Sequence, residues 1–220
     1  MPSYLDITNR LKAVKTKPAL PDKVPNVEMN TKQRLAEHIV QDYVQQWYLA
    51  KHEGGNWPNP LRLFLMGAPG TGKSTNTKQI MSTVMNQLGV NWTNVVKQAT
   101  PTGCASFQMS STATTIHQLF GLSLAPSRNL KPEEVRQLQK KFDHGLCLLV
   151  IDEFSMVSRS LIGIVLHRLK QAHLDFQHLG IILIGDLAQL LPIGDVPCWS
   201  IKSKRTDNKD YNENSIFGLN

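Results

Sequence analysis

The sequence lacks any apolar run long enough to cross a bilayer: its longest, residues 146–151 and 181–184, fall well short of about 18 residues. No apolar stretch near the N-terminus leads to a small-residue cleavage site, so a secretory signal is not expected. The three cysteines, Cys104, Cys147 and Cys198, are too few and too widely spaced for a disulfide framework or a zinc site. We therefore expect an intracellular protein in a reducing compartment, with no membrane partner.

The chain has 220 residues, 41% of them hydrophobic and 19% charged, which is enough for one domain with its own core. Its formal net charge of +7 favours a polyanionic partner, because Lys and Arg can replace the counterions around phosphate. The basic residues are scattered along the chain, however, and many basic proteins bind no nucleic acid. Charge alone leaves both interpretations open.

The hydrophobic periodicity alternates between short apolar runs, typical of buried strands, and amphipathic helices. This alternation predicts an α/β fold with a mostly parallel sheet and helices on both faces, and ligands at the carboxyl ends of the strands. Residues 1–28 are expected to be a Pro- and Lys-rich linker, and residues 29–220 the domain. Strands are predicted near residues 61–65, 92–99, 146–151 and 181–184, and helices over residues 32–50, up to 88, over 132–142 and around 161–169.

A glycine-rich loop stands between a predicted strand and a predicted helix, where a phosphate-binding loop must lie. Its glycines allow backbone N–H groups to face phosphate oxygens, and the helix N-terminus adds partial positive charge. Lys73 is expected to reach the terminal phosphates of ATP, and Ser74 to ligate Mg²⁺. The predicted ATP-binding residues are Gly67, Ala68, Pro69, Gly70, Thr71, Gly72, Lys73, Ser74 and Thr75.

Two acids, Asp152 and Glu153, follow the apolar run that ends at Ile151. Asp152 is expected to hold Mg²⁺ through water, and Glu153 to orient and deprotonate an attacking water. This pair predicts hydrolysis rather than binding alone. The alternative for Glu153 is a solvated acid at the start of a loop.

Another strand end carries Asp186 and Gln189. Gln189 could bind the terminal phosphate or the attacking water, which would place it among the catalytic residues with Lys73, Asp152 and Glu153. A loop amide at Gln189 and a turn-capping role for Asp186 remain as alternatives.

Single-stranded DNA is the expected partner of two polar segments, one with Thr102 and Gly103, the other with Thr115 and His117. Hydroxyls and main-chain donors bind a sugar-phosphate backbone without reading sequence, and His can stack on a base. A polar loop with no ligand is the alternative. Gln33 has two interpretations as well: its amide could recognise adenine, or it could complete a capping box with Asn30.

In this order, the motifs resemble those of superfamily-one DNA helicases of the PIF/RecD-like branch. Residues 194–195 and 216–220 are similar to transposon-derived, Helitron-type members. The segments that carry the resemblance are residues 29–33 (Q motif), 67–74 (motif I), 100–105 (motif Ia), 115–121 (a strand-binding motif), 151–156 (motif II) and 185–193 (motif III).

The resemblance implies a RecA-like P-loop NTPase domain, the first of two in such helicases, with ATP and Mg²⁺ as ligands. It also implies 5′-to-3′ movement, DNA repair, recombination, replication or telomere maintenance, and a nuclear or else mitochondrial location. Motifs IV to VI are not seen after Ile193, so we expect a fragment or truncated product with weak ATPase activity and no unwinding. The alternatives are a P-loop switch or kinase, and a non-motor DNA-binding module with a vestigial nucleotide site.

Overall fold

The structure is a computed structural model that describes residues 28–122, 130–172 and 177–200. The strands are β1 (Arg62–Met66), β2 (Val96–Thr100), β3 (Thr114–Thr115), β4 (Leu148–Ile151) and β5 (Gly180–Gly185). The α-helices are α1 (Thr31–Glu53), α2 (Lys73–Leu88), α3 (Trp92–Val95), α4 (Gly103–Met109), α5 (Ile116–Leu119), α6 (Pro132–Lys141) and α7 (Arg159–Gln171). Two 3₁₀ turns cover Gly89–Asn91 and Phe154–Met156.

The five strands form one parallel sheet in the order β1-β5-β4-β2-β3. β5 lies between β1 and β4, so the strand before the glycine-rich loop and the strand before the acid pair do not touch each other. Because all strands run the same way, their carboxyl ends meet at one edge of the sheet. The predicted parallel sheet with helices on both faces is confirmed.

Each face of the sheet supports its own hydrophobic core. On one face, α1 and α2 pack through side chains that include Val40, Trp47 and Val84. On the other face, α5, α6 and α7 pack through side chains that include Phe120, Phe142 and Leu169. Successive residues of β5 alternate between the two cores, as a strand covered on both sides must.

The start of α1 is fixed by a reciprocal capping box. Asn30 Oδ1 accepts a hydrogen bond from the Gln33 backbone N–H at 3.0 Å, and Gln33 Oε1 accepts one from the Asn30 N–H at 2.9 Å. The pair satisfies two backbone donors that have no partner within the helix. The capping interpretation of Gln33 is therefore confirmed.

The prediction of a strand across residues 92–99 is wrong in its first half. Trp92–Val95 forms the helical turn α3, and the strand begins only at Val96. Trp92 is 5% exposed and belongs to the core under α1 and α2, so burial of its large ring outweighs the strand propensity of this run. The chain between β2 and α5 contains α4 and β3.

Some sequence predictions lie outside the described residues: the linker, apart from Glu28, and the Helitron-like segment 216–220. Among the described residues, no helix is both long and apolar enough to span a membrane. The three cysteines are free: Cys104 is exposed, and Cys147 and Cys198 are buried.

β5 is packed so closely at Gly180 that there is no room for a side chain. A Cβ there would lie 2.7 Å from Tyr43 Cε1 and 2.9 Å from Leu148 Cδ2. Tyr43 cannot move away freely, because its hydroxyl donates to the carbonyl of His178. Gly180→Ala should therefore lower the free energy of unfolding by about 1–3 kcal/mol, measured by urea denaturation. Gly103→Ala, which meets nothing within 4 Å, is the matched control; an equal loss there would contradict this account.

Candidate active site

The glycine-rich loop leaves the sheet at Gly67, whose N–H donates to the Gly185 carbonyl at 3.3 Å. Gly70 and Gly72 have φ angles of 77° and 84°, which side-chain-bearing residues rarely adopt. Thr71 closes the turn, since its hydroxyl donates to the Ala68 carbonyl at 2.8 Å. The sequence thus folds this loop into a tight turn directly ahead of α2.

The N-terminus of α2 is suited to an anion. Gly72 occupies the N-cap and offers no side chain, so the first amides of the helix have no side-chain cap. Lys73 Nζ lies over the loop and donates to the carbonyls of Gly67 and Ala68, the latter at 2.9 Å. Helix amides, helix dipole and ammonium group together form a donor set that fits a polyphosphate.

The acid pair follows β4 in a strained backbone. Asp152 is anchored by its N–H, which donates to the Ala99 carbonyl at 3.0 Å, and Asp152 Oδ1 accepts from the Glu153 N–H at 2.8 Å. Glu153 has φ 53°, in the left-handed region, and no other described non-glycine residue has positive φ. Such strain concentrates at functional sites, where it fixes the direction of a side chain.

Burial raises the pKa of Asp152 above its ordinary value, although the Glu153 N–H and the charge of Lys73 act to lower it. Burial also raises the pKa of Glu153, and the negative charge of Asp152 raises it further. A carboxylate with a raised pKa is a better proton acceptor at neutral pH. The pair therefore has the electrostatics expected for activating water.

A cavity of about 530 Å³ joins these groups. Gly185 and Gln189 line it from the end of β5, between the loop and the acids. Asp186 caps the turn after β5, because its Oδ1 accepts from the Ala188 N–H at 2.9 Å, which confirms the capping alternative. The sequence-predicted residues that line this cavity are Pro69, Gly70, Gly72, Lys73, Ser74, Thr75, Asp152, Glu153 and Gln189.

Gln98, Ser110 and Thr112 are among the cavity residues that were not identified from the sequence. Gln98, only 5% exposed in β2, donates from Nε2 to Thr112 Oγ1 at 3.2 Å and accepts from Ser110 Oγ at 3.2 Å. The available signal was an amide side chain within a predicted buried strand. The network ties β2 to the loop before β3 and lines the cavity beside the acids.

Gln33 lies next to the glycine-rich loop and also forms part of the capping box. A Cβ on Gly72 would be 3.0 Å from Gln33 Nε2, so the amide nitrogen faces the loop. Gln33 does not line the cavity described above. Its amide nitrogen is not used in the capping box, so the adenine-binding hypothesis stays a prediction.

The predicted DNA-binding segments lie at the same edge of the sheet. Thr100 pairs with Thr115 across β2 and β3, and Thr102 follows two residues later. Thr102 Oγ1 caps α4 by accepting from the Ala105 N–H at 3.3 Å, and Thr115 Oγ1 caps α5 by accepting from the Gln118 N–H at 3.1 Å. The structure thus brings Thr102, Gly103, Thr115 and His117 to two adjacent helix N-termini, although both threonine oxygens already accept a backbone hydrogen bond.

Residues 59–195 match the family model described as an AAA domain. The chain belongs to this family. Among curated proteins, it is 30% identical over 142 residues to the uncharacterized protein MJ1519 of Methanocaldococcus jannaschii, over 59% of this chain and 11% of that protein.

Solved structures of Pif1 helicases share the fold. The Pif1 helicase from Candida albicans is 21% identical, with a TM-score of 0.53 over 76% of this chain and 34% of that chain. Bacteroides Pif1 in complex with ADP-AlF3 and ssDNA is 22% identical, with a TM-score of 0.52 over the same shares. The chain thus spans about a third of these helicases and about a tenth of the curated relative.

The raised pKa of Asp152 has a consequence for stability. The unfolded chain releases this proton near the ordinary pKa of 3.8, which is a lower pH than the folded chain requires. Between the two pKa values the folded state binds more protons than the unfolded state. The free energy of unfolding therefore falls as the pH rises from 3.8 through the raised folded pKa. Asp152→Asn should therefore be more stable than the parent at pH 7, and the difference should shrink as the pH is lowered toward 3.8. Urea unfolding across this range measures it.

The matched control is Asp42→Asn on the exposed side of α1, which should change the free energy of unfolding by less than about 0.5 kcal/mol. Equal unfolding free energies of Asp152→Asn and the parent at pH 7 would contradict the burial argument.

Proposed function

We propose that this chain is the ATP-binding domain of a DNA helicase of the PIF/RecD-like branch, which couples ATP hydrolysis to binding of single-stranded DNA. The observation that carries the proposal is the shared edge of the sheet. The phosphate loop, the acid pair and Gln189 surround one cavity there, and the Thr102 and Thr115 segments follow the next two strands. Bacteroides Pif1, which shares the fold, has been crystallised with ADP-AlF3 and ssDNA, which supports both ligand classes.

The residues divide into binding and chemistry. The α2 amides and Lys73 bind and orient the phosphates, and Glu153 accepts a proton from the attacking water. Gln189, in the turn that follows β5 between them, would contact the terminal phosphate or that water. Ser74 and, through water, Asp152 would hold Mg²⁺, which neutralises phosphate charge when bound.

The finer assignments are also proposals. We propose that the protein is a Helitron-type member of this branch and that the whole protein moves 5′ to 3′ along DNA. We also propose that it lies in the nucleus and acts in DNA repair, recombination, replication or telomere maintenance. Imaging of the tagged full-length protein tests the location, and strand displacement on substrates with 5′ or 3′ tails tests the polarity.

The proposed nucleotide site predicts that one mutation impairs ATP binding and another impairs ATP hydrolysis alone. Lys73→Ala should raise the Kd of a fluorescent ATP analogue by roughly 10- to 100-fold, because it removes charge-assisted hydrogen bonds to phosphate. Glu153→Gln should leave that Kd nearly unchanged and lower ATP hydrolysis by on the order of 10²–10⁴-fold, because it removes the proton acceptor. Tight binding by Lys73→Ala would overturn the assignment of the loop.

The strand-binding edge predicts salt-dependent affinity for single-stranded DNA, with weak sequence preference. His117→Ala should weaken binding of oligo-dT by roughly 5- to 100-fold, as loss of one stacked base would, measured by fluorescence anisotropy. His52→Ala is the control, because His52 lies near the end of α1, beside Tyr48 and away from this edge. Preference for duplex DNA, or ssDNA affinity unchanged by ATP analogues, would favour the rival classes.

A further inference from the structure

The helix turn that carries His117 has every backbone carbonyl satisfied. α5 is only four residues long, Ile116–Leu119, and Thr115 caps its start. At its end, the Ile116 carbonyl accepts from the Phe120 N–H at 3.1 Å, and the His117 carbonyl accepts from the Leu122 N–H at 2.7 Å. The chain then turns away at Gly121, whose φ is 62°. Backbone N–H groups thus bind the carbonyls of Ile116 and His117, and the next four carbonyls along the chain accept hydrogen bonds from other groups.

Two cationic side chains bind those four successive carbonyls. Lys141 Nζ donates to the carbonyls of Gln118 at 3.1 Å and Leu119 at 2.7 Å. Arg168 Nη1 donates to the carbonyls of Phe120 at 3.2 Å and Gly121 at 3.0 Å. Cations at a helix C-terminus are favoured by the helix dipole, and hydrogen bonds from charged donors are stronger than those between neutral groups.

Both cations lie on longer helices that pack against the sheet. Lys141 is the last residue of α6, and its neighbour Phe142 packs against Phe120 with ring centroids 5.8 Å apart. Arg168 lies on α7 and is 3% exposed, so its charge depends on the acceptors around it. α7 itself begins just after the 3₁₀ turn that follows the acid pair. The carbonyl contacts therefore connect α5 to rigid elements on the same face of the sheet.

An isolated four-residue helix is not stable in water, because nucleation costs more than its few hydrogen bonds return. The placement of His117 and Thr115 must then come from tertiary contacts. We propose that Lys141 and Arg168 are positioning residues for single-stranded DNA binding: Lys141 holds the carbonyls at the end of α5 and Arg168 holds those of the turn after it, so that His117 and the Thr115 segment face the strand. This inference rests on the proposed function, and neither cation is assigned a contact with DNA or nucleotide.

Lys141→Met is the principal test, because Lys141 is on the surface and its loss should leave the fold intact. It should weaken binding of oligo-dT about tenfold, as loss of charged hydrogen bonds would, without changing the Kd of the ATP analogue. The slope of log K against log salt should stay unchanged, whereas loss of a direct phosphate contact would reduce it by about 0.7. Lys140→Met removes the same charge from the adjacent exposed position and should bind like the parent.

Three further variants make the test specific. Lys141→Arg, which keeps a cation within reach of the carbonyls, should restore most of the affinity. In a His117→Ala background, Lys141→Met should add little further loss, because the two residues act through one contact. Arg168→Lys, checked first for an unchanged thermal unfolding midpoint, loses the planar guanidinium that reaches both carbonyls and should therefore weaken strand binding in the same way as Lys141→Met.

The outcomes separate this inference from the function on which it rests. If the parent binds no single-stranded DNA, the proposed function fails. If the parent binds and Lys141→Met binds equally well, only the positioning inference is overturned. A reduced salt slope would show that Lys141 contacts the strand itself, and losses for Lys141→Met and His117→Ala that simply add would show that Lys141 does not act through His117; either result would overturn the inference.

Discussion

The parallel pairing of β5 with β1 on one side and β4 on the other determines where every candidate catalytic group lies. The register aligns Phe64 with Leu183, and Leu183 with Ile151, so the loop after β1 and the acids after β4 emerge at the same height with Gln189 between them. A shift of one residue would turn each side chain of β5 toward the wrong core. Gly185 helps to fix this register, because a Cβ there would lie 2.9 Å from Phe154 Cδ1.

Burial and a neighbouring positive charge have opposite effects on the pKa of Asp152. Burial disfavours the ionised form of Asp152, and the nearby ammonium of Lys73 partly offsets that effect. Lys73 in turn donates to two loop carbonyls, which hold its ammonium group over the loop.

The sequence predicted those features that depend on local spacing. The phosphate loop, the acid pair and the Asn30–Gln33 capping box are each contained within a few residues, and the alternation of apolar runs and amphipathic helices was enough for the sheet. The α3 turn was missed because burial of Trp92 depends on α1 and α2, more distant in sequence. The left-handed backbone of Glu153 and the Gln98 network also depend on tertiary neighbours that no local pattern names.

The same limit applies to the basic composition of the chain. A net charge of +7 favoured a polyanionic partner, yet Lys141 and Arg168 direct hydrogen bonds to backbone carbonyls. A cation bound to a helix C-terminus stabilises the fold whether or not nucleic acid is present. Net charge therefore overstates the number of groups free to bind phosphate. What distinguishes the candidate strand-binding surface is that two helix N-termini meet at the edge of the sheet that also carries the cavity, which depends on the sheet and not on composition.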